Sequence, residues 1–104
     1  MKYITVLSTV SSKKEGEKIA KILLRKRLAA CVQVIPGLQS FYIWKKKICH
    51  EAEYLLMIKS KASLFSRLEK AIRDIHSYEV PQIVAIPILQ GTRSYLKWLN
   101  ASLK

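Results

Sequence analysis

Two histidines, two cysteines and seven carboxylates are the groups in this 104-residue chain able to hold a metal ion or move a proton. His76 opens the stretch "HSYEVP", directly after the helix-like run "SLFSRLEKAIRDI", where a cationic imidazole would suit a helix C-terminus. Thiolate and imidazole together suit copper(I) or zinc, so Cys31, Cys49, His50 and His76 are the residues to weigh. Cys49 and His50 are neighbours in an extended run and point to opposite faces, which keeps them from chelating one ion. Cys31 lies in the apolar run "AACVQV" and has the ordinary character of a small buried hydrophobe. A site at His76 therefore draws its other ligands from distant elements or from another subunit.

The elements that must position these groups follow from periodicity. Tyr3 to Val10 is β-branched and apolar and reads as a buried strand. Ser12 and Glu15 then form a capping-box signal for a helix whose Ile19, Ile22, Leu23 and Leu28 share a face, while Lys14, Lys18, Lys21 and Arg25 stay wet. "AACVQVIPGLQSFYIW" is extended, with a turn or bulge at Pro36-Gly37. "KKK" at 45 to 47 makes a hairpin tip, and Ile48 to Lys59 forms a long return strand. On that strand Cys49, Glu51 and Glu53 share one face, and His50, Ala52 and Tyr54 the other.

Phe65, Leu68, Ile72 and Ile75 define a second helix. "IVAIPIL" is a fourth strand whose Pro87 favours a sheet edge or a bend, and Thr92 caps a short final helix. The order βαββαβ plus a helix predicts one α+β domain over residues 1–104: a ferredoxin-like sandwich with a long β2-β3 hairpin arm and a C-terminal helix. Helices on one face leave the other sheet face open, which points to burial in an oligomer.

Composition narrows the classes. Half the residues are apolar and a quarter charged, a globular balance. No apolar run approaches the roughly 20 residues of a membrane span, so no membrane partner is expected. Two cysteines without a paired spacing predict reduced thiols in the cytosol. Nineteen Lys plus Arg against seven Asp plus Glu give a formal charge of +12, a field that attracts polyanions in general. No specific nucleic-acid reader accompanies it: Tyr3, Phe41, Tyr42 and Tyr54 stand outside any RNA-recognition motif, and an RNA-binding module is the weakest reading. The loop "TVSSKKEG" after the first strand lacks the arginine an acylphosphatase needs, and no Gly-rich phosphate loop or nucleophile elbow occurs. A non-enzymatic protein is the expectation.

Together "AACVQVIPGLQSFYIWKKKI", "EAEYLLMIKS", "HSYEVPQIVAIPI" and "YLKWLNASL" resemble the CutA family of divalent-cation tolerance proteins across essentially the whole chain. The resemblance implies a cytoplasmic homotrimer similar to PII signalling proteins, weakly binding copper or another divalent metal ion at clefts between subunits. It implies His76 and Cys31 as metal ligands, and Tyr42, Trp44, Glu53, Lys59, Tyr78 and Trp98 around the inter-subunit pocket. A PII-like scaffold binding a small anionic ligand through Lys59 is the second reading. Three positions depart from the family: Ser8 and Ile75 replace a cysteine and a histidine of some relatives, which weakens soft-metal binding, and Lys46 replaces a turn glycine.

Overall fold

β-branched and apolar residues at alternate positions make β1 (Tyr3–Val10) a strand whose Ile4, Val6, Ser8 and Val10 are buried. In the computed structural model, which describes residues 2–104, it is followed by α1 (Lys13–Arg25), β2 (Cys31–Trp44) and β3 (Lys47–Lys61). A 3-10 turn (Ala62–Leu64), α2 (Phe65–Ile75), β4 (Ile83–Ile88) and α3 (Arg93–Ala101) complete the chain. The four strands form one antiparallel sheet in the order β2-β3-β1-β4, the ferredoxin-like arrangement expected from the element order.

One sheet face meets the helices. Ile4, Val6, Val10, Leu56 and Ile58 pack with Ile19 and Leu23 of α1 and Leu68 and Ile72 of α2. Gly16 lets α1 approach the sheet closely, since a Cβ there would lie 3.2–3.3 Å from Leu56, Val10 and Val34. Ser12 caps α1 by accepting from the Glu15 N–H, but the reciprocal half of the capping box is missing. The Glu15 carboxylate is drawn instead to the N–H and Oγ of Ser77, across the fold, at 2.8 and 3.1 Å. Leu28, expected on the helical face, lies beyond the end of α1 yet is still buried.

The opposite face carries Leu7, Ile35, Leu55, Met57, Val84 and Ile86, and among the described residues no helix covers it. Val84 and Ile86 of β4 remain almost half exposed and extend this apolar face to the sheet edge. The sheet edges, β2 and β4, carry Pro36 and Pro87, where a missing N–H costs no ladder bond.

Pro36-Gly37 proves to be a bulge within one continuous strand. Ile35 pairs with Leu55 and Leu38 with Glu53, so two residues face the single Tyr54, and Gly37 supplies the required φ of +83°. The extra residue reverses the alternation of β2 and puts Leu38, Ser40, Tyr42 and Trp44 on the same face as Glu53. The hairpin tip is a two-residue turn, Lys45-Lys46, both at positive φ, and Lys47 already belongs to β3.

Candidate functional site

The bulge in β2, the start of the hairpin arm and the segment after α2 converge at one end of the open face. They line a cleft of about 830 Å³ that includes Thr9, Tyr42, Trp44, Glu53, Tyr78 and Gln82. Glu53 is its chemical centre: only 7 % exposed, it accepts a 2.5 Å hydrogen bond at Oε2 from the Tyr78 hydroxyl. Burial, reinforced by that bond, pushes the Tyr78 phenol well above its ordinary value. Partial desolvation and the charges of Glu51, Cys49 and Glu53 also raise Tyr42. The cleft is thus an electronegative spot, with Glu79 also in its wall and no Lys or Arg, on a chain of formal charge +12.

His76 stands behind this cleft and orients it. As the residue ending α2 it leaves the helical conformation, and its side chain is wholly buried. Its Nε2 lies 2.8 Å from the Thr9 carbonyl, and its Nδ1 accepts the Tyr78 N–H at 3.0 Å. These partners define the neutral tautomer protonated at Nε2, because a carbonyl can only accept and an N–H can only donate. The Glu15 carboxylate lies 3.7 Å from Nδ1 and is held by Ser77. Although burial raises the Glu15 carboxyl, the hydrogen bonds from the Ser77 N–H and Oγ outweigh it and leave it below the ordinary carboxylate value. Glu15, His76 and Ser77 form a clip that sets Tyr78 against Glu53.

As a metal centre, the expected pair His76 and Cys31 does not fit within one chain. Neither imidazole nitrogen has a free lone pair in this arrangement. Cys31 pairs with Lys59, four residues along β3 from the partner of Thr9, which separates it from His76's end of the sheet by about 13 Å. Among the described residues, no three His, Cys, Asp or Glu side chains come together.

Of the six expected pocket residues, Tyr42, Trp44, Glu53 and Tyr78 meet in the cleft. Lys59 lies beside Cys31 and donates to Gln33 Oε1 at 3.1 Å, and half-exposed Trp98 packs on Tyr95 of α3. Neither reaches this cleft. The sequence reading missed Thr9 and Gln82, which carry no distinguishing local pattern, and the Glu15–Ser77 link, whose partners are 62 residues apart. Ser8, which the resemblance marked as a departure from the family, is fully buried beneath the helices with an unpartnered Oγ, on the face away from the cleft.

Residues 4–102 match the family model of the CutA1 divalent ion tolerance protein. The chain belongs to the CutA1 family. It is 45 % identical over 95 residues to the divalent-cation tolerance protein CutA of Thermus thermophilus, covering 91 % of this chain and 92 % of that one. It is 43 % identical over 92 residues to Protein CutA of Homo sapiens, covering 88 % of this chain but 51 % of that one. The chain thus spans nearly all of the bacterial CutA relative and about half of the human one; its share of the rice chloroplastic CutA 1 is 56 %. The solved Thermus thermophilus CutA1 structure superposes with a TM-score of 0.95 at 41 % identity, covering 98 % of this chain and 99 % of that one. CutA1 from Oryza sativa gives 0.96 at 38 % identity, covering 100 % and 95 %. The CutA1 fold accounts for the ferredoxin-like sheet, the long arm and the terminal helix together.

Proposed function

We propose that this CutA1-family chain acts without catalysing a reaction, as a homotrimeric cation-binding protein in the divalent-cation response, with a neighbouring copy completing the cleft around Glu53 and Tyr78. The observation that carries this reading is the buried carboxylate of Glu53, opening into a cleft that adjoins an uncovered apolar sheet face. Covering Leu7, Leu55, Met57, Val84 and Ile86 supplies the driving force for association. The same association would bring further ligands toward Glu53, whose chain alone lacks a three-donor set among the described residues. Cys31, Lys59 and Trp98, remote from the cleft of their own chain, are the groups a neighbour would contribute.

Cleft oxygens favour harder divalent ions over copper(I), whereas a neighbour's Cys31 would add affinity for copper or zinc. Weak binding is in keeping with one buried carboxylate per chain. An anionic ligand is less favoured, since carboxylates and no Lys or Arg line the cleft. The two free thiols suit the reducing cytoplasm, the compartment we assign.

Titration calorimetry with manganese, zinc and copper(II), on protein whose trimer mass is checked by sedimentation, tests the reading. Glu53→Gln should weaken binding about tenfold or more, since it removes the charge and keeps the shape. Equal affinity in wild type and Glu53→Gln, or a monomer in solution, would overturn it.

A further inference from the structure

The strongest charge pattern on the molecule belongs to neither the cleft nor the open sheet face. On α1, Lys14, Lys18, Lys21 and Arg25 are all exposed and follow one another at intervals of four, three and four residues. At 100° and 1.5 Å per residue they fall within an arc of about 60° and form a straight row about 16 Å long. Gly16, Ile19 and Leu23, the buried residues of the helix, lie on the opposite side, so the row points directly away from the core.

None of the four is neutralised. Among the described residues the ion pairs are Lys70–Asp74, Arg73–Glu69 and the contact between His76 and Glu15. Glu17 flanks the row without pairing, and Glu15 is turned toward Ser77. Beyond Arg25 the positive surface continues into a groove between the end of α1 and α2, where Lys26, Arg67 and Lys104 surround a single Lys70–Asp74 pair. A row of like charges on one helix face costs helix stability, and no ion pair among the described residues offsets it.

We infer that the α1 row and the adjoining groove dock the sugar-phosphate backbone of double-stranded nucleic acid, without reading its sequence. Charge complementarity favours a polyanion, and the linear shape favours a rod with phosphates in rows over a planar lipid surface. Beside the row Leu24 is 42 % exposed, a single apolar side chain and not the apolar face that a helix needs to enter a bilayer. The row holds no aromatic on which unpaired bases would stack: the exposed aromatics Phe41, Tyr42, Trp44, Tyr95 and Trp98 lie on the arm and α3. Contact is therefore to phosphates of a duplex. This surface shares no residue with the Glu53 cleft, and its success or failure is independent of the cation reading.

The test is fluorescence anisotropy of a short labelled DNA duplex of arbitrary sequence, titrated with the intact protein from low to physiological salt. Each phosphate contact adds about −0.9 to the slope of log affinity against log salt, so the four residues of the row contribute about −3.6 and the groove adds to it. The variant K14Q/K18Q/K21Q removes three contacts of the row, so its slope should be shallower than wild type by about 2.7, with at least about a tenfold loss at low salt. The variant K45Q/K46Q/K47Q removes the same charge from the arm tip and should stay within about twofold of wild type. Matching melting curves establish that both variants are folded. The inference is overturned by absence of duplex binding in wild type, by unchanged binding in the α1 variant, or by equal losses in both variants. It is also overturned if anionic phosphatidylserine vesicles displace the duplex at equal phosphate concentration, an outcome that would assign the row to membranes.

Discussion

Replacing His76 by alanine separates two roles for the imidazole, strut and ligand. The ring is wholly buried and makes two hydrogen bonds, at 2.8 Å to the Thr9 carbonyl and at 3.0 Å from the Tyr78 N–H. Each bond contributes about 1 kcal/mol net, and more is lost when the abandoned carbonyl and N–H stay shielded from water. Removing the ring also opens a void behind Tyr78. The sum is a destabilisation of about 2–4 kcal/mol. Guanidinium unfolding at matched protein concentration measures it, since stability in an oligomer varies with concentration. Zinc and copper(II) competition titrations on the same variant, under folding conditions, should then show a loss well short of the roughly tenfold expected on removing a ligand, since Glu53 itself is kept. A stability change below about 1 kcal/mol together with a tenfold loss of metal affinity would refute the strut and make His76 a ligand.

Ser8 buries an Oγ without a partner, a defect that costs about 1–3 kcal/mol, so Ser8→Ala should stabilise the protein by about 1 kcal/mol in the same unfolding assay. A loss of stability would mean that the hydroxyl is satisfied. Lys46 holds φ at +67° in the hairpin turn, and Lys46→Gly should add a few tenths to about 1 kcal/mol, the relief of left-handed strain less the extra freedom of the unfolded glycine. Glu15 has a carboxyl depressed below its ordinary value, so its contribution is present above the unfolded carboxylate value of about 4.3 and lost as pH falls through the lower native one. Stability measured from neutral pH downward should therefore fall more steeply in wild type than in Glu15→Gln, and parallel acid limbs would show that the Ser77 clip carries no linkage.

Much of this architecture was legible in the order of residues. Alternating Ile4, Val6 and Val10, the helical spacing of Phe65, Leu68, Ile72 and Ile75, and the caps Ser12 and Thr92 act over short distances, and the structure realises each of them. Four of the six expected pocket residues meet because strand alternation and the bulge bring them to one face. The sequence marked Pro36-Gly37 as either a turn or a bulge, and that choice mattered. A bulge adds one residue and thereby reverses the face of every later side chain on β2, Tyr42 and Trp44 included.

The chemistry of the individual groups was decided at long range. The sequence determined that His76 ends a helix, that the tip is Lys-rich, that Lys14, Lys18, Lys21 and Arg25 lie on one wet face, and that the helices leave one sheet face open. Only the tertiary structure decided that both nitrogens of His76 are taken by Thr9, 67 residues away, and by the Tyr78 N–H. It alone turned Glu15 from its own cap toward Ser77 and set Tyr78 on Glu53. Periodicity specifies which face a side chain occupies. Which polar atom it meets there depends on where β1, β3 and the segment after α2 cross, and a hydrogen bond forms only within a few tenths of an ångström of its ideal length.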